Sequence, residues 1–296
     1  MRPSLLALAV LAPLSAGCTA YETVDVDGTT REFLIHVPDA EALGGAPAEG
    51  WPLVIAFHGA YSTPSATEDY TGLSALADEE GFVVVYPKGK QRLWNDGRIP
   101  DLADDVAFTA ALIDHLVAEY EVDPERVFAT GISNGGFMAH RVGCELADRV
   151  VGIAPVAGTL SEELVEICDP VRPVGVMLFM GTDDDLVPYD GGALGGGLGA
   201  GAFGTMLSAP QTTDHWADLD GCAGAPEITE LDALDDGTRI ETRHYAGCEG
   251  RGQVVLHTIE GGGHTWPGAG YVAGLGVASQ ELDASETMWR FFAALP

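Results

Sequence analysis

Four uninterrupted apolar runs constrain this chain more than any other feature. They are residues 52–57 (Pro-Leu-Val-Ile-Ala-Phe), 82–86 (Phe-Val-Val-Val-Tyr), 150–157 and 174–180. A strand with one face in water alternates apolar and polar side chains, whereas a strand apolar at every position is buried on both faces. Helical periods separate the runs. Residues 73–80 read as one helix, and 104–120 as another, with Val106, Ala110, Ile113, Leu116 and Val117 along one face. Buried strands alternating with helices predict a mostly parallel sheet covered on both faces. Functional groups then belong in the loops at the carboxyl ends of the strands. The 296 residues, 46% of them hydrophobic, are enough for one large domain, and no repeat or linker splits them.

The remaining elements fit this frame. Residues 21–37 read as a hairpin turned by Asp27-Gly28. Residues 239–245 and 254–259 read as strands, 213–219 as a short helix and 284–294 as a terminal helix. Residues 191–204 are glycine-rich and predict a mobile surface loop.

One stretch carries chemistry. A β-prone run, 127–130, meets Gly131-Ile132-Ser133-Asn134-Gly135, and a helix-compatible segment follows to about Leu146. Strand, G-x-S-x-G, helix is the context in which a sharp turn lifts a serine hydroxyl clear of a sheet. A serine is a poor nucleophile until a base takes its proton, and a histidine held by a carboxylate does this near neutral pH. The α/β-hydrolase fold presents these groups in the order serine, acid, histidine. Here Ser133 is followed by Asp183-Asp184-Asp185 after the strand at 174–180, and by His264 after the last strand. Among other histidines only His215 rivals His264. A calcium loop is the competing reading of the three aspartates, but no full D-x-[DN]-x-[DN]-G pattern is present. A developing oxyanion needs two backbone donors. Asn134, after the serine, supplies one, and the loop His58-Gly59-Ala60-Tyr61 supplies the other through Ala60. His58 itself reads as a structural loop residue.

Five motifs together resemble secreted polyhydroxybutyrate depolymerases and the related feruloyl and acetylxylan esterases of carbohydrate esterase family 1. They are Phe57-His58-Gly59, Val122-Asp123-Pro124-Glu125-Arg126-Val127, Gly131-Ile132-Ser133-Asn134-Gly135-Gly136, Gly181-Thr182-Asp183-Asp184-Asp185-Leu186-Val187-Pro188-Tyr189 and Gly262-Gly263-His264-Thr265-Trp266-Pro267-Gly268. The likeness covers about residues 21–295. It implies an α/β-hydrolase fold, Ser133 as nucleophile, His264 as base and Asp184 as the acid. It implies no metal or organic cofactor. Two departures, Met180 for a histidine and Asp185 for a proline, touch the acid loop but not the triad. Only residues 158–172 separate two of the buried strands, too few for a large lid domain. An open site suits esters hanging from a polymer, either feruloyl and acetyl groups on plant polysaccharide or, alternatively, short-chain polyhydroxyalkanoate. Tyr61, Trp94, Trp216 and Trp266 are candidate substrate-stacking surfaces. A serine peptidase and a non-catalytic binding protein on the same scaffold are the readings from other classes.

Arg2, the apolar run 5–14 and Ser15-Ala16-Gly17 before Cys18 read as an export signal. The expected division is a leader at 1–18 and one catalytic domain at 19–296. Cys18 lies in a lipobox-like context, so the chain is expected to be secreted or anchored to the outer membrane through lipid on Cys18. Cys144, Cys168, Cys222 and Cys248 form an even set that suggests two disulfides, and three pairings are open to sequence alone. Pairing Cys144–Cys168 and Cys222–Cys248 closes the two shortest loops, each worth about 3 kcal/mol in the chain-entropy model. The resemblance favours the same pairing. A monomer is expected.

The formal charge of −31, from 45 acidic and 14 basic residues, excludes nucleic acid as a partner and disfavours anionic membrane surfaces. Solvated carboxylates at this density suit high salt, where screening relieves their mutual repulsion. Esterase activity measured from low to high NaCl is therefore expected to hold or rise, and a steady fall would count against a saline adaptation.

Overall fold

The computed structural model describes residues 21–98, 102–194 and 204–296. Residues 1–18, the expected leader with Cys18, and most of the glycine-rich stretch lie outside these residues.

The chain opens with an antiparallel hairpin, β1 (Glu22–Val26) and β2 (Thr29–His36). Asp27 and Gly28 turn it with φ of 50° and 80°, the positive pair that a two-residue hairpin turn needs. There follow β3 (Trp51–Phe57), α1 (Pro64–Thr71), α2 (Leu73–Glu80), β4 (Val83–Pro87), α3 (Asp105–Glu119), β5 (Val122–Ile132), α4 (Asn134–Glu145) and β6 (Gly152–Val156). The second half contains α5 (Glu162–Val165), β7 (Gly175–Gly181), the two-residue strands β8 (Gly192–Ala193) and β9 (Thr205–Met206), and α6 (Ala209–Leu219). It ends with β10 (Glu227–Leu231), β11 (Arg239–Tyr245), β12 (Val254–Glu260) and α7 (Ala284–Ala294).

Ten strands form one sheet in the order β1-β2-β4-β3-β5-β6-β7-β12-β11-β10. From β4 to β12 the pairs are parallel, and an antiparallel pair of strands extends each end. The apolar runs occupy this parallel centre, as expected. Side chains alternate between two cores: Leu53, Ile55 and Phe57 face α3 and α4, where Phe108, Leu112, Met138 and Val142 pack. Val54, Ala56 and Phe128 face the layer holding Leu73, Met288, Trp289 and Phe292. Phe128 stacks on Phe292 with ring centroids 4.6 Å apart.

Among the described residues, α1, α5, β8, β9 and β10 escaped the sequence reading, and two of them show why. α1 carries its own signal, Thr63 capping through an accepted Ala66 N–H and Pro64 in the first turn. β10 is exposed at every position and, among the described residues, pairs along one edge alone, so it has no apolar period to detect.

The structure pairs Cys144 with Cys168 and Cys222 with Cys248. Beside the second pair, the Asp220 carboxyl is fully buried. Its Oδ1 accepts the Val174 N–H at 3.1 Å, and its Oδ2 has no partner among the described residues. Burial pushes this carboxyl up to about 7. Unfolded aspartate titrates near 4, so between about pH 4 and pH 7 the folded chain holds a proton that the unfolded chain releases. This group's contribution to stability is full below that window and is lost as pH rises through it. Asp220→Asn keeps an acceptor without the charge. Its melting temperature is expected to exceed wild type by several degrees at pH 8 and to differ little at pH 4.

Candidate active site

Ser133 stands between β5 and α4 at φ 59° and ψ −122°, a conformation that side-chain-bearing residues adopt only under constraint. The constraint is backbone crowding. A Cβ on Gly135 would lie 2.2 Å from the Phe57 carbonyl oxygen, and one on Gly131 would lie 2.6 Å from that of Gly135. Only glycine lets β3, β5 and α4 meet this closely. The Ser133 N–H donates to Val156 O at 2.9 Å, and Ser133 O accepts the Phe137 N–H at 2.9 Å. Both ends of the serine backbone are thus tied while its side chain points into a cleft.

β7 and β12 are adjacent and parallel, and the loops that leave their carboxyl ends are cross-linked. Asp183 N–H donates to Gly262 O at 2.9 Å, and Gly261 N–H donates to Thr182 Oγ1 at 2.9 Å. Of the three aspartates only Asp184 turns inward, while Asp183 and Asp185 are exposed. Asp184 Oδ1 accepts the Leu186 and Val187 N–H groups at 2.8 Å each. Its Oδ2 lies 2.7 Å from His264 Nδ1. An ionised carboxylate only accepts, so Nδ1 carries the hydrogen and Nε2 is left as the basic nitrogen.

Ser133 and His264 line one cleft of about 570 Å3, together with Gly59, Ala60, Tyr61 and Leu186. A second cleft of about 230 Å3 shares Ala60, Tyr61, Ser133 and Leu186 and continues past Trp94, Asn134 and Phe137. A larger depression of about 810 Å3 over Gly268 and its neighbours contains neither Ser133 nor His264. Asn134 is the first helical residue of α4, where an amide has no intrahelical acceptor. The Tyr61 N–H is committed to Arg92 O at 2.8 Å, whereas the Ala60 N–H donates to nothing among the described residues. The arrangement offers a hydroxyl, a carboxylate-held imidazole and two uncommitted amides around one opening.

Trp94, Trp216 and Trp266 do not offer stacking surfaces. Each is at most 1% exposed. Their indole N–H groups donate inward, to His58 O (2.8 Å), His140 Nδ1 (3.1 Å) and Ser285 Oγ (3.0 Å). An indole gains more from burial than any other side chain once its one polar atom is paired, and that pairing is met in all three cases. Tyr61, 66% exposed at the mouth of both clefts, keeps its candidacy. His215 lies on α6 and lines neither cleft. His58 is buried and accepts the Gly89 N–H at 3.0 Å; burial lowers its pKa, and it is structural. Tyr70, Val272 and Leu275 also line the larger cleft, and no motif marks them, whereas Leu186 lies within the motif at 181–189.

Residues 39–161 match the family model described as "Esterase PHB depolymerase". The chain is 32% identical over 295 residues to "Putative esterase NocK" of Nocardia uniformis subsp. tsuyamanensis, covering 94% of this chain and 84% of that one. It is 35% identical over 219 residues to "Feruloyl esterase B" of Piromyces equi, covering 72% of this chain but only 39% of that longer protein. Among solved structures, "Acetyl xylan esterase from Aspergillus awamori" superposes with a TM-score of 0.63 at 15% identity, over 93% of this chain and 99% of that one. That likeness supports the fold.

The crowding at Gly135 sets a sharp expectation. Gly135→Ala forces the end of β3 away from α4, at a cost of about 3 kcal/mol or more. A lowered melting temperature, with esterase activity falling further than stability, is the outcome to look for.

Proposed function

The chain belongs to the polyhydroxybutyrate-depolymerase type of esterases and is a carboxylic ester hydrolase, and from this we propose that Ser133, His264 and Asp184 are its catalytic triad. The observation that carries the reading is the 2.7 Å contact of Asp184 with His264, whose ring lines the cleft that holds Ser133. Ser133 Oγ attacks the ester carbonyl while His264 Nε2 takes its proton. Asp184 holds the imidazole tautomer and stabilises the imidazolium. The Ala60 and Asn134 amides receive the oxyanion, in a site where fixed dipoles count for most because little water screens them. Collapse expels the alcohol, which takes the proton back from His264. Water then repeats the sequence on the acyl-enzyme.

The substrate is proposed to be an ester carried on a polymer, with feruloyl and acetyl esters of plant polysaccharide first. The open junction of two clefts at Ser133 supports this, since it leaves room for a chain to run past the scissile bond. A second reading, poly(3-hydroxybutyrate), is favoured by one feature: Ile132, Leu186, Val272 and Leu275 give the His264 side an apolar wall. Parallel assays on methyl ferulate, acetylated xylan and polyhydroxybutyrate emulsion separate the two. Export belongs to the same proposal, with 19–296 as one catalytic domain, and the two disulfides fit an oxidising compartment. Mass spectrometry of the mature N-terminus distinguishes a lipidated Cys18 from a removed one.

On p-nitrophenyl acetate, Ser133→Ala is expected to lower kcat by several orders of magnitude, and Asp184→Asn by up to about 10⁴-fold. Both should stay folded. Labelling by a fluorophosphonate should disappear in Ser133→Ala, and retained activity there would overturn the assignment.

A further inference from the structure

Two amides can serve one oxyanion only if the spacing between them is held, and here they sit on separate elements. Ala60 is in the loop after β3, and Asn134 opens α4. We propose that residues 89–98 brace these two elements, and that Trp94, the Asn134 side chain and Asp96 are positioning residues for the oxyanion hole. The proposal rests on the reading of Ala60 and Asn134 as the oxyanion donors.

The brace grips the Ala60 loop at three points. Gly89 N–H donates to His58 Nε2 at 3.0 Å, the Trp94 indole N–H donates to His58 O at 2.8 Å, and Arg92 O accepts the Tyr61 N–H at 2.8 Å. Gln91 and Arg92 both hold positive φ, 57° and 61°, in the tight turn that carries Arg92 O to that contact. The same segment grips α4. Trp94 N–H donates to Asn134 Oδ1 at 2.8 Å, and Asn134 Nδ2 donates to Trp94 O at 3.2 Å. Asn134 Nδ2 also donates to Asp96 Oδ2 at 2.6 Å. Asp96 is in turn held by Arg98, whose guanidinium donates to it at 2.6 and 3.0 Å and lies 4.2 Å from the centre of the Phe137 ring. Further along α4, Arg141 donates to Asn95 O at 2.7 Å.

Among the described residues of this segment, Trp94 bonds to both sides, through its indole to the residue two before Ala60 and through its backbone to Asn134. His58, Trp94, Asp96 and Asn134 are all at most 6% exposed, so a lost bond leaves an orphaned buried group that water cannot reach. The Asn134 side chain makes three of these bonds and its own amide faces the cleft. Its type matters for that reason: an amide both accepts from and donates to the Trp94 backbone and still donates to a carboxylate, which neither aspartate nor leucine can do.

Loosening the brace should weaken binding of the transition state and not of the substrate, so the loss falls on kcat. The test uses Trp94→Phe and Asn134→Ala in the full chain, with p-nitrophenyl acetate kinetics, thermal melting and inhibition by phenylboronic acid. That acid adds to the serine oxygen as a tetrahedral anion, the serine proton passing to the histidine, and so reports on the oxyanion hole directly. Removing one donor outright costs about 10²–10³ in kcat, and a displaced donor should cost about tenfold. The expected result is that fall in kcat with KM nearly unchanged, a parallel rise in the boronate inhibition constant, and melting well above the assay temperature. Asn134→Asp, which sets a carboxylate against Asp96, should fall further, and adding Asp96→Asn should restore part of the loss. That charge-relieved pair keeps the test decisive if Trp94→Phe does not fold. Unchanged kcat and boronate affinity in folded variants, with Ser133→Ala inactive, would overturn the brace and leave the triad standing. So would a rise in KM at constant kcat. An active Ser133→Ala would instead remove the reading on which the brace rests.

Discussion

The carbonyl of Phe57 lies where a Cβ of Gly135 would have to be, and much of the site depends on that contact. It brings the end of β3 against the first turn of α4 with no side chain between them. Ala60 follows Phe57 by three residues, and Asn134 precedes Gly135 by one, so the same approach brings the two free amides to one opening. It also leaves Ser133 no ordinary backbone conformation. The strain of its positive φ, of order 1–3 kcal/mol for such a residue, is held by the buried strands on either side.

The proposed acid and base, Asp184 and His264, obey a different constraint. β7 and β12 are neighbours in the parallel centre, so the loops leaving them emerge side by side. The bonds between Thr182 and Gly261 and between Asp183 and Gly262 tie those loops together beside the contact of Asp184 with His264. With one Asp184 oxygen occupied by two amides and the other by the imidazole, the carboxylate has little freedom to turn. The pair is preorganised by backbone, and its side chains finish what the sheet order begins.

Much of the fold was legible in the sequence because the parallel strands are buried on both faces and so carry unmistakable apolar runs. α2 and α7 were legible to the residue, since their amphipathic periods are bounded by Gly72, Gly81 and Asp283. β10 was not, because an exposed edge strand has no burial to record. In the site, Ser133 and His264 stood out through glycines and chain order. The tryptophans misled for a physical reason: an indole suits a sugar platform and a packed core equally well, and sequence does not state which side of a loop it faces. Tyr70, Leu186 and Leu275 reach the cleft from three separate segments, and no spacing links them.

By itself the sequence determined the parallel sheet, the succession of Ser133, the aspartate cluster and His264 along the chain, and the glycines that let a serine stand on a sharp turn. Those features are local, resting on periodicity, on small residues and on succession along the chain. Only the tertiary structure decided that three tryptophans face the core, and that residues 89–98 bond both to the loop after β3 and to the first residue of α4. The motif resemblance had already singled out Asp184, and the structure turns it alone of the three aspartates inward. Each of these depends on contacts between segments distant in sequence, where burial and hydrogen-bond partners are settled by what the rest of the chain brings alongside.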